Sequence, residues 1–355
     1  MKNLGLYANI NSRIRVKLSR LLTGEQWQSL YKSSDVASLI TRLSATRYAP
    51  WTQNCTPETF VESIDERIAH TALEDEKKIA SQLRGNSSLF VECWAEESDI
   101  EYIKQALRAW QKKQPFNPPP SYLISGRYDI PWDIFNPKNS IEEIMLSLMH
   151  TPYGKALSAA RELYRKTNIV FYLEAALEKD YFKRLAELAE SFSGADKSAV
   201  IKLLGLQIDM YNINNLLRCK LYFKLPPEQV EHLIYPNGRF FSAEKFFEAY
   251  VTRDTGEFLK KISITPLKST LSANLTAPLQ DMALLINHLL KEILFKEIKK
   301  MLRGYPFTIG VPLSYIVLNR WEMNQLRSLT WALRLGKKED IDQVRQENPL
   351  LTAQE

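Results

Sequence analysis

Cysteine, histidine and glycine are all scarce in this 355-residue chain, and each shortage removes a class of chemistry. The three cysteines, Cys55, Cys93 and Cys219, are odd in number, far apart and without C-x-x-C spacing, so neither a disulfide framework nor a cysteine zinc site is expected. The four histidines, His70, His150, His232 and His288, form no i, i+4 pair and no H-E-x-x-H, and each reads as a surface or satisfied core histidine. Twelve glycines supply no G-x-x-x-x-G-K-[ST], G-x-G-x-x-G or G-x-S-x-G, the backbone devices of nucleotide binding and acyl transfer. Long apolar runs are missing too: nothing reaches the roughly 18 residues a membrane span needs. The opening MKNLGLYANINSRIRVKLSR places Asn and Arg where a signal peptide would have its apolar centre. The most apolar stretch, MALLINHLLKEILF at 282–295, carries His288, Lys291 and Glu292 and reads as a buried or amphipathic helix, so the chain is expected to be soluble.

What is present is ordinary globular composition, 45% hydrophobic and 25% charged, in a chain long enough for two or three domains or one helical array. Disorder is expected only at the polar C-terminal tail. The net charge of +6 comes from 47 basic and 41 acidic side chains that are interspersed, which favours an anionic neighbour such as a membrane surface or an acidic protein over a nucleic acid. The basic and aromatic stretches RAWQKKQPF at 108–116 and YRKTNIVFY at 164–172 are followed by acids and read as amphipathic helices. Isoprenoid synthases, which hold magnesium on paired Asp-rich helices, are the enzyme class to weigh. Here Glu74, Asp75 and Glu76 are consecutive, splay around a helix, and read as a solvated face. No cofactor and no small-molecule substrate is expected.

Helical periodicity dominates, and strict alternation is almost absent. SSLFVECW at 87–94 and PFTIGVPLSYIVL at 306–318 could be extended, but both sit between strong helices and are assigned to buried helix. Three elements recur in one order. SDIEYIKQALR at 98–108, IDMYNINNLLR at 208–218 and WEMNQLRSLTW at 321–331 align on Asp99, Asp209 and Glu322. Apolar residues follow each acid at one, four and seven positions, roughly 100°, 40° and −20° around a helix, so the acid lies inside the packing stripe. A carboxylate there costs free energy unless a donor from a neighbouring element meets it. Arg108 and Arg218, nine positions on, point about 180° away and cannot be that donor.

The N-terminal helix belongs to the same set: an offset of 203 residues aligns Asn9 with Asn212, Asn11 with Asn214, Arg15 with Arg218 and Lys17 with Lys220, and places LTGEQWQSL at 22–30 on LPPEQVEHL at 225–233. Both are helix starts, one a capping box of Thr23 and Gln26, the other opened by Pro226 and Pro227. The third element, DVASLITRLSATRY at 35–48, aligns with SIEEIMLSLMHTPY at 140–153, pairing Tyr48 with Tyr153, and more weakly with SAEKFFEAYVTR at 242–253. Long helical stretches near 57–84, 154–193 and 276–303 follow each copy. Prolines in QPFNPPPSY at 114–122 and KLPPEQ at 224–229 mark the junctions. The expected fold is all-α: three similar helical-bundle domains, 1–114, 115–224 and 225–355 with the tail, arranged with pseudo-threefold symmetry.

YANINSRIRVKLSRLL at 7–22 resembles the opening of the C subunit of the V-type and A-type rotary ATPases, known as the d subunit in the eukaryotic enzymes, on Asn11, Arg13, Arg15, Ser19, Arg20, Leu21 and Leu22. LMHTPYGKAL at 148–157 resembles the family's T-P-Y segment and YLEAALEKDYFKRL at 172–185 its E-x-x-L-D-x-x-Y-F segment, with Glu178 where Asp is usual. IDMYNINNLLRCK and WEMNQLR resemble its two later helices, though Gln325, Asn214 and Tyr102 depart from the pattern. The resemblance implies a non-catalytic rotor part. That part is a helical funnel at the cytoplasmic face of the membrane, one copy per complex, whose partners are the coiled-coil central shaft and the membrane proteolipid ring, in an enzyme moving protons or sodium. Structural or interface roles fall on Asn11, Arg13, Arg15, Asp99, Arg108, Asp209, Asn212, Arg218, Glu322 and Arg327. The alternative outside this family is a free-standing helical-repeat adaptor.

Overall fold

Side-chain caps fix where many of the helices begin. In the computed structural model, which describes residues 4–252, 257, 279–336, 341, 342, 344, 345 and 348, the three copies of the repeated third element each open on a capping residue at the same register. Asp35 accepts from the Ser38 N–H, Ser140 from Glu143 and Ser242 from Lys245, starting α3 (Val36–Leu43), α8 (Ile141–Ser147) and α14 (Ala243–Val251). Arg253, the end of the third copy, lies outside the described residues, as does the chain from 349 onward. Thr23 and Gln26 form the predicted capping box of α2 (Gly24–Tyr31), and Pro227 opens α13 (Pro227–Val230).

Every regular element among the described residues is helical. The segment 87–94 lies in α6 (Asn86–Ala95), as expected; in 306–318 the helix starts only at Gly310, after Pro306, and runs on as α16 (Gly310–Leu335). The stretch near 57–84 is one helix, α5 (Pro57–Ala80). That near 154–193 is three, α9 (Pro152–Ala159), α10 (Arg161–Thr167) and α11 (Phe171–Glu190): Ala160 separates the first two, and Asn168, in the left-handed region at φ 56°, ends α10. The stretch near 276–303 is α15 (Leu279–Arg303), residues 276–278 lying outside the described set.

The chain divides into two compact units, one of residues 1–88 with 298–355, the other of residues 89–297. In the first, α1 (Leu4–Ser19), α3 and α5 pack on α16. Phe60, Val61, Ile64 and Ile68 recur at helical spacing on α5 and meet Met323, Leu326, Leu329 and Leu333 of α16, with Trp27, Leu30, Leu39 and Leu43 completing the core. The Trp27 ring lies 5.6 Å from Tyr31 and 5.9 Å from Trp321, between centroids.

In the second unit α11 is central, packed by α7 (Glu97–Gln111), α9, α10 and α12 (Gly194–Leu217). Leu173, Leu177 and Leu185 are buried along it. The entry to α9 is tight: a Cβ on Gly154 would lie 2.3 Å from the carbonyl carbon of Leu148 and 2.4 Å from its oxygen, both backbone atoms. Gly154→Ala is therefore expected to destabilise the protein by about 2–3 kcal/mol, the upper part of the range for overpacking, read as a lower urea midpoint at unchanged slope.

Candidate functional site

The three aligned acids are all removed from solvent, Asp99 and Asp209 at 0% exposure and Glu322 at 1%. Each accepts a backbone N–H from a loop laid against its helix. On α16, Glu322 Oε2 takes the Leu22 N–H at 2.6 Å while Oε1 takes the Tyr48 hydroxyl at 2.8 Å, with Arg47 Nε 3.6 Å away. Asp99 on α7 takes the Ser125 N–H at 2.5 Å, the Ser125 hydroxyl, and the Tyr153 hydroxyl at 2.9 Å. Tyr48 and Tyr153 are the residues that the repeat alignment pairs. The same acid, tyrosine and loop N–H thus recur, and the donors come from loops and helix starts rather than from the middle of a helix. Burial pushes the Glu322 carboxyl up; Arg47, the Tyr48 hydroxyl and the Leu22 N–H pull it back.

Asp209 belongs to a different arrangement, which accounts for the acid and asparagines of IDMYNINNLLR. Gly205, Asp209 and Asn212 stand at zero, four and seven positions along one face of α12, and the 235–241 loop lies on that face. The Arg239 N–H donates to the Gly205 carbonyl at 3.2 Å and the Phe240 N–H to Asp209 Oδ2 at 2.9 Å. Asn212 holds Tyr235 twice, donating to its carbonyl and accepting from its N–H, both at 2.8 Å. Asn215 donates to the Tyr235 hydroxyl at 3.0 Å, whereas Asn214 is exposed and meets Asn287. Gly238 lets the loop come this close: a Cβ there would sit 2.2 Å from Asp209 Oδ1.

Burial raises the Asp209 carboxyl to about 7 against the pull of the Phe240, Phe241 and Arg239 N–H groups and the Arg239 charge. Between the ordinary aspartate value near 4 and pH 7 the folded protein then holds a proton that the unfolded chain releases, so stability falls as pH rises through this window. The expected loss is at most about 4 kcal/mol, and Asp209→Asn should flatten that part of the stability profile in urea titrations at pH 4.5 and 7.5.

The remaining predicted residues divide between ties within a unit and surface positions. Arg108 grips Glu174 of α11 with Nε and Nη2 at 2.6 and 2.7 Å, and Arg218 approaches the same carboxylate at 4.0 Å while lying over the Phe171 ring at 4.6 Å. These two arginines, directed away from their own helices' acids, converge on one partner. Arg15 is exposed and donates to the Leu302 carbonyl at 2.6 Å, closing the end of α15. Arg13 is exposed, Asn11 is half-buried with its side-chain oxygen unpaired, and Arg327 meets Asp65 at 2.6 Å.

The expectation that Glu74, Asp75 and Glu76 form a solvated face is wrong for two of the three. Glu74 is half-exposed and pairs with Lys78, but Asp75 accepts from Lys17 and Tyr315, and Glu76, 2% exposed, holds Arg320 at 2.5 and 2.9 Å. Glu76 stands on the apolar stripe of α5 between Leu73 and Ile79, the signal that singled out Asp99, so the same rule would have found it. Two further hubs were missed. Glu178, 7% exposed, takes Lys104 Nζ at 2.5 Å and the Tyr235 hydroxyl at 2.6 Å; Glu96, 0% exposed, takes Arg184 and, at 3.0 Å, Arg127. No cluster of metal-ligating side chains occurs among the described residues.

Among known proteins, the model of the ATP synthase (C/AC39) subunit family matches residues 10–344 of this chain. A relative from Thermococcus gammatolerans, named as the C subunit of an A-type ATP synthase, is 25% identical over 337 residues, 93% of this chain and 87% of the relative. The protein of that name from Thermococcus kodakarensis is 23% identical over 344 residues, 94% and 88% of the two chains, and that from Methanosphaera stadtmanae 22% over 333 residues, 92% and 84%.

Proposed function

We propose, since this chain belongs to the ATP synthase (C/AC39) subunit family, that it is a non-catalytic central-rotor part of an A/V-type rotary ATPase. It acts as a socket between the coiled-coil shaft and the membrane proteolipid ring and passes torque between them while ATP turnover is coupled to proton or sodium transport. The family match across residues 10–344, with relatives that align over 84–88% of their own length, is the observation that carries this reading. The internal ties support it physically. A part that transmits torque must resist shear, and loops fastened to helices by buried carboxylates and asparagines resist it better than loops held by solvated contacts.

On the same reading the three segments 1–114, 115–224 and 225–355 are variants of one helical module related by a pseudo-threefold axis through a funnel. The matching pairs Glu322 with Tyr48, between the third and first segments, and Asp99 with Tyr153, between the first and second, support that relation at two of the three junctions, while Asp209 is held differently. The protein works at the cytoplasmic face as a peripheral part of the complex, and among the described residues no helix is long and apolar enough to cross a membrane. The test is activity of the purified chain: it should show no ATP turnover alone and should bind the isolated shaft proteins. Turnover by the chain itself, or indifference to the shaft, would contradict the proposal.

A further inference from the structure

The first helix carries positive charge that the first unit leaves unbalanced. Residues 1–24 contain no acid, and neither do residues 298–321, which include the end of α15. Tyr7, Ile10 and Ile14 face inward from α1, while Asn9, Ser12, Arg13, Arg15, Val16, Ser19 and Arg20 are exposed. Arg15 reaches the carbonyl of Leu302 at 2.6 Å, so the exposed Arg303 next along the chain belongs to the same surface. The Lys17 charge is met by Asp75, but Arg13, Arg20 and Arg303 form no ion pair with another described residue.

We propose that this outer face of α1 is a docking surface for an acidic helix of a partner protein, one that presents carboxylates two helical turns apart. Arg13 on α1 and Arg20, in the turn directly after its last residue Ser19, are seven positions apart, about two helical turns of chain, which sets that spacing. The charges are arginines, whose planar forks match carboxylates in two-pronged pairs and which protein interfaces favour over lysine. Of the exposed positions around them, Asn9, Ser12, Val16 and Ser19 carry short side chains, and Arg15 is turned to the Leu302 carbonyl, so a partner helix can lie close. Among the side chains described as exposed on this face, Val16 is the largest apolar one, and none is a Trp, Phe or Leu of the kind interfacial helices bury in a bilayer. The inference stands on the charge and geometry of α1 and does not require the proposed function.

The test places the photo-crosslinking residue p-benzoylphenylalanine at Ser12 in the full chain, irradiates intact cells, and identifies the joined peptide by mass spectrometry. The expected product is one acidic helical segment with carboxylates at i and i+7. The double variant Arg13→Glu/Arg20→Glu should lower its yield about tenfold with an unchanged melting curve, since both residues are exposed, and reversing the partner's two carboxylates should restore it. Absence of a product, a lipid or nucleic-acid adduct, a neutral or basic partner segment, or a yield indifferent to the charge reversal would each overturn the proposal.

Discussion

Glu322→Ala should lower the free energy of unfolding by about 3–5 kcal/mol, the cost of removing one partner from a buried ionic network. Three donors converge on this carboxylate: the Leu22 N–H, the Tyr48 hydroxyl and the Arg47 guanidinium. Alanine leaves the first two in a site that is 1% exposed, where water cannot replace the lost acceptor, and it opens a cavity beside Met323 and Leu326. Glu322→Gln should cost less than half as much, because the amide oxygen can still accept one of the two bonds. Tyr48→Phe should cost about 1 kcal/mol in the native background and nearly nothing in Glu322→Ala, a coupling that a double-mutant cycle in urea measures directly. Independent effects that simply add would show that the pair is adjacent without being coupled.

Glu178→Ala should cost about 3 kcal/mol. Its carboxylate joins two helices and a loop: Lys104 from α7, Glu178 itself on α11, and Tyr235 from the loop that Asn212 and Asp209 fasten to α12. Burial alone would lower the Lys104 ammonium, yet Glu178 and Glu101 hold it above its ordinary value. Without Glu178 the ammonium keeps only Glu101, which is 46% exposed, and the Tyr235 hydroxyl loses its acceptor. Because two of the three elements are then released together, loss of hydrogen-exchange protection should spread to the 235–241 loop as well as to α7. Glu178→Asp, the residue usual at this place in the resembling family, should retain most of the stability. Loss confined to α7 would show that the loop is held by α12 alone.

The acids on the motif helices could be read from sequence because an ionisable residue inside a 3.6-residue apolar stripe is a local pattern. So could the three matching helix caps, which need only a Ser or Asp followed by a run with apolar spacing. The repeat aligned Tyr48 with Tyr153 and Asp99 with Glu322, but that each tyrosine meets an acid came only from the structure, since alignment relates equivalent positions and not their contacts. The arrangement around Asp209 could not: Asn212 and Gly205 bind the backbone of 235–241, an irregular segment whose path no periodicity encodes. Glu76 was legible by the stripe rule, but the partners of Glu178, Glu96 and Glu76 were not. Their partners Lys104, Arg184 and Arg320 lie 74, 88 and 244 residues away, and charge on a helix reads as solvated until a distant cation is brought to it. The break at Asn168 was invisible because asparagine in the left-handed region looks, in sequence, like asparagine on a helix surface.

The most direct test of the proposed role is reconstitution of the rotary complex in sealed vesicles with and without this chain. With it, shaft and proteolipid ring should be recovered as one assembly, and ATP hydrolysis should drive ion movement; without it, the catalytic head should still hydrolyse ATP while ion movement stops. Ion transport that stays coupled to hydrolysis in the absence of the chain would contradict the account.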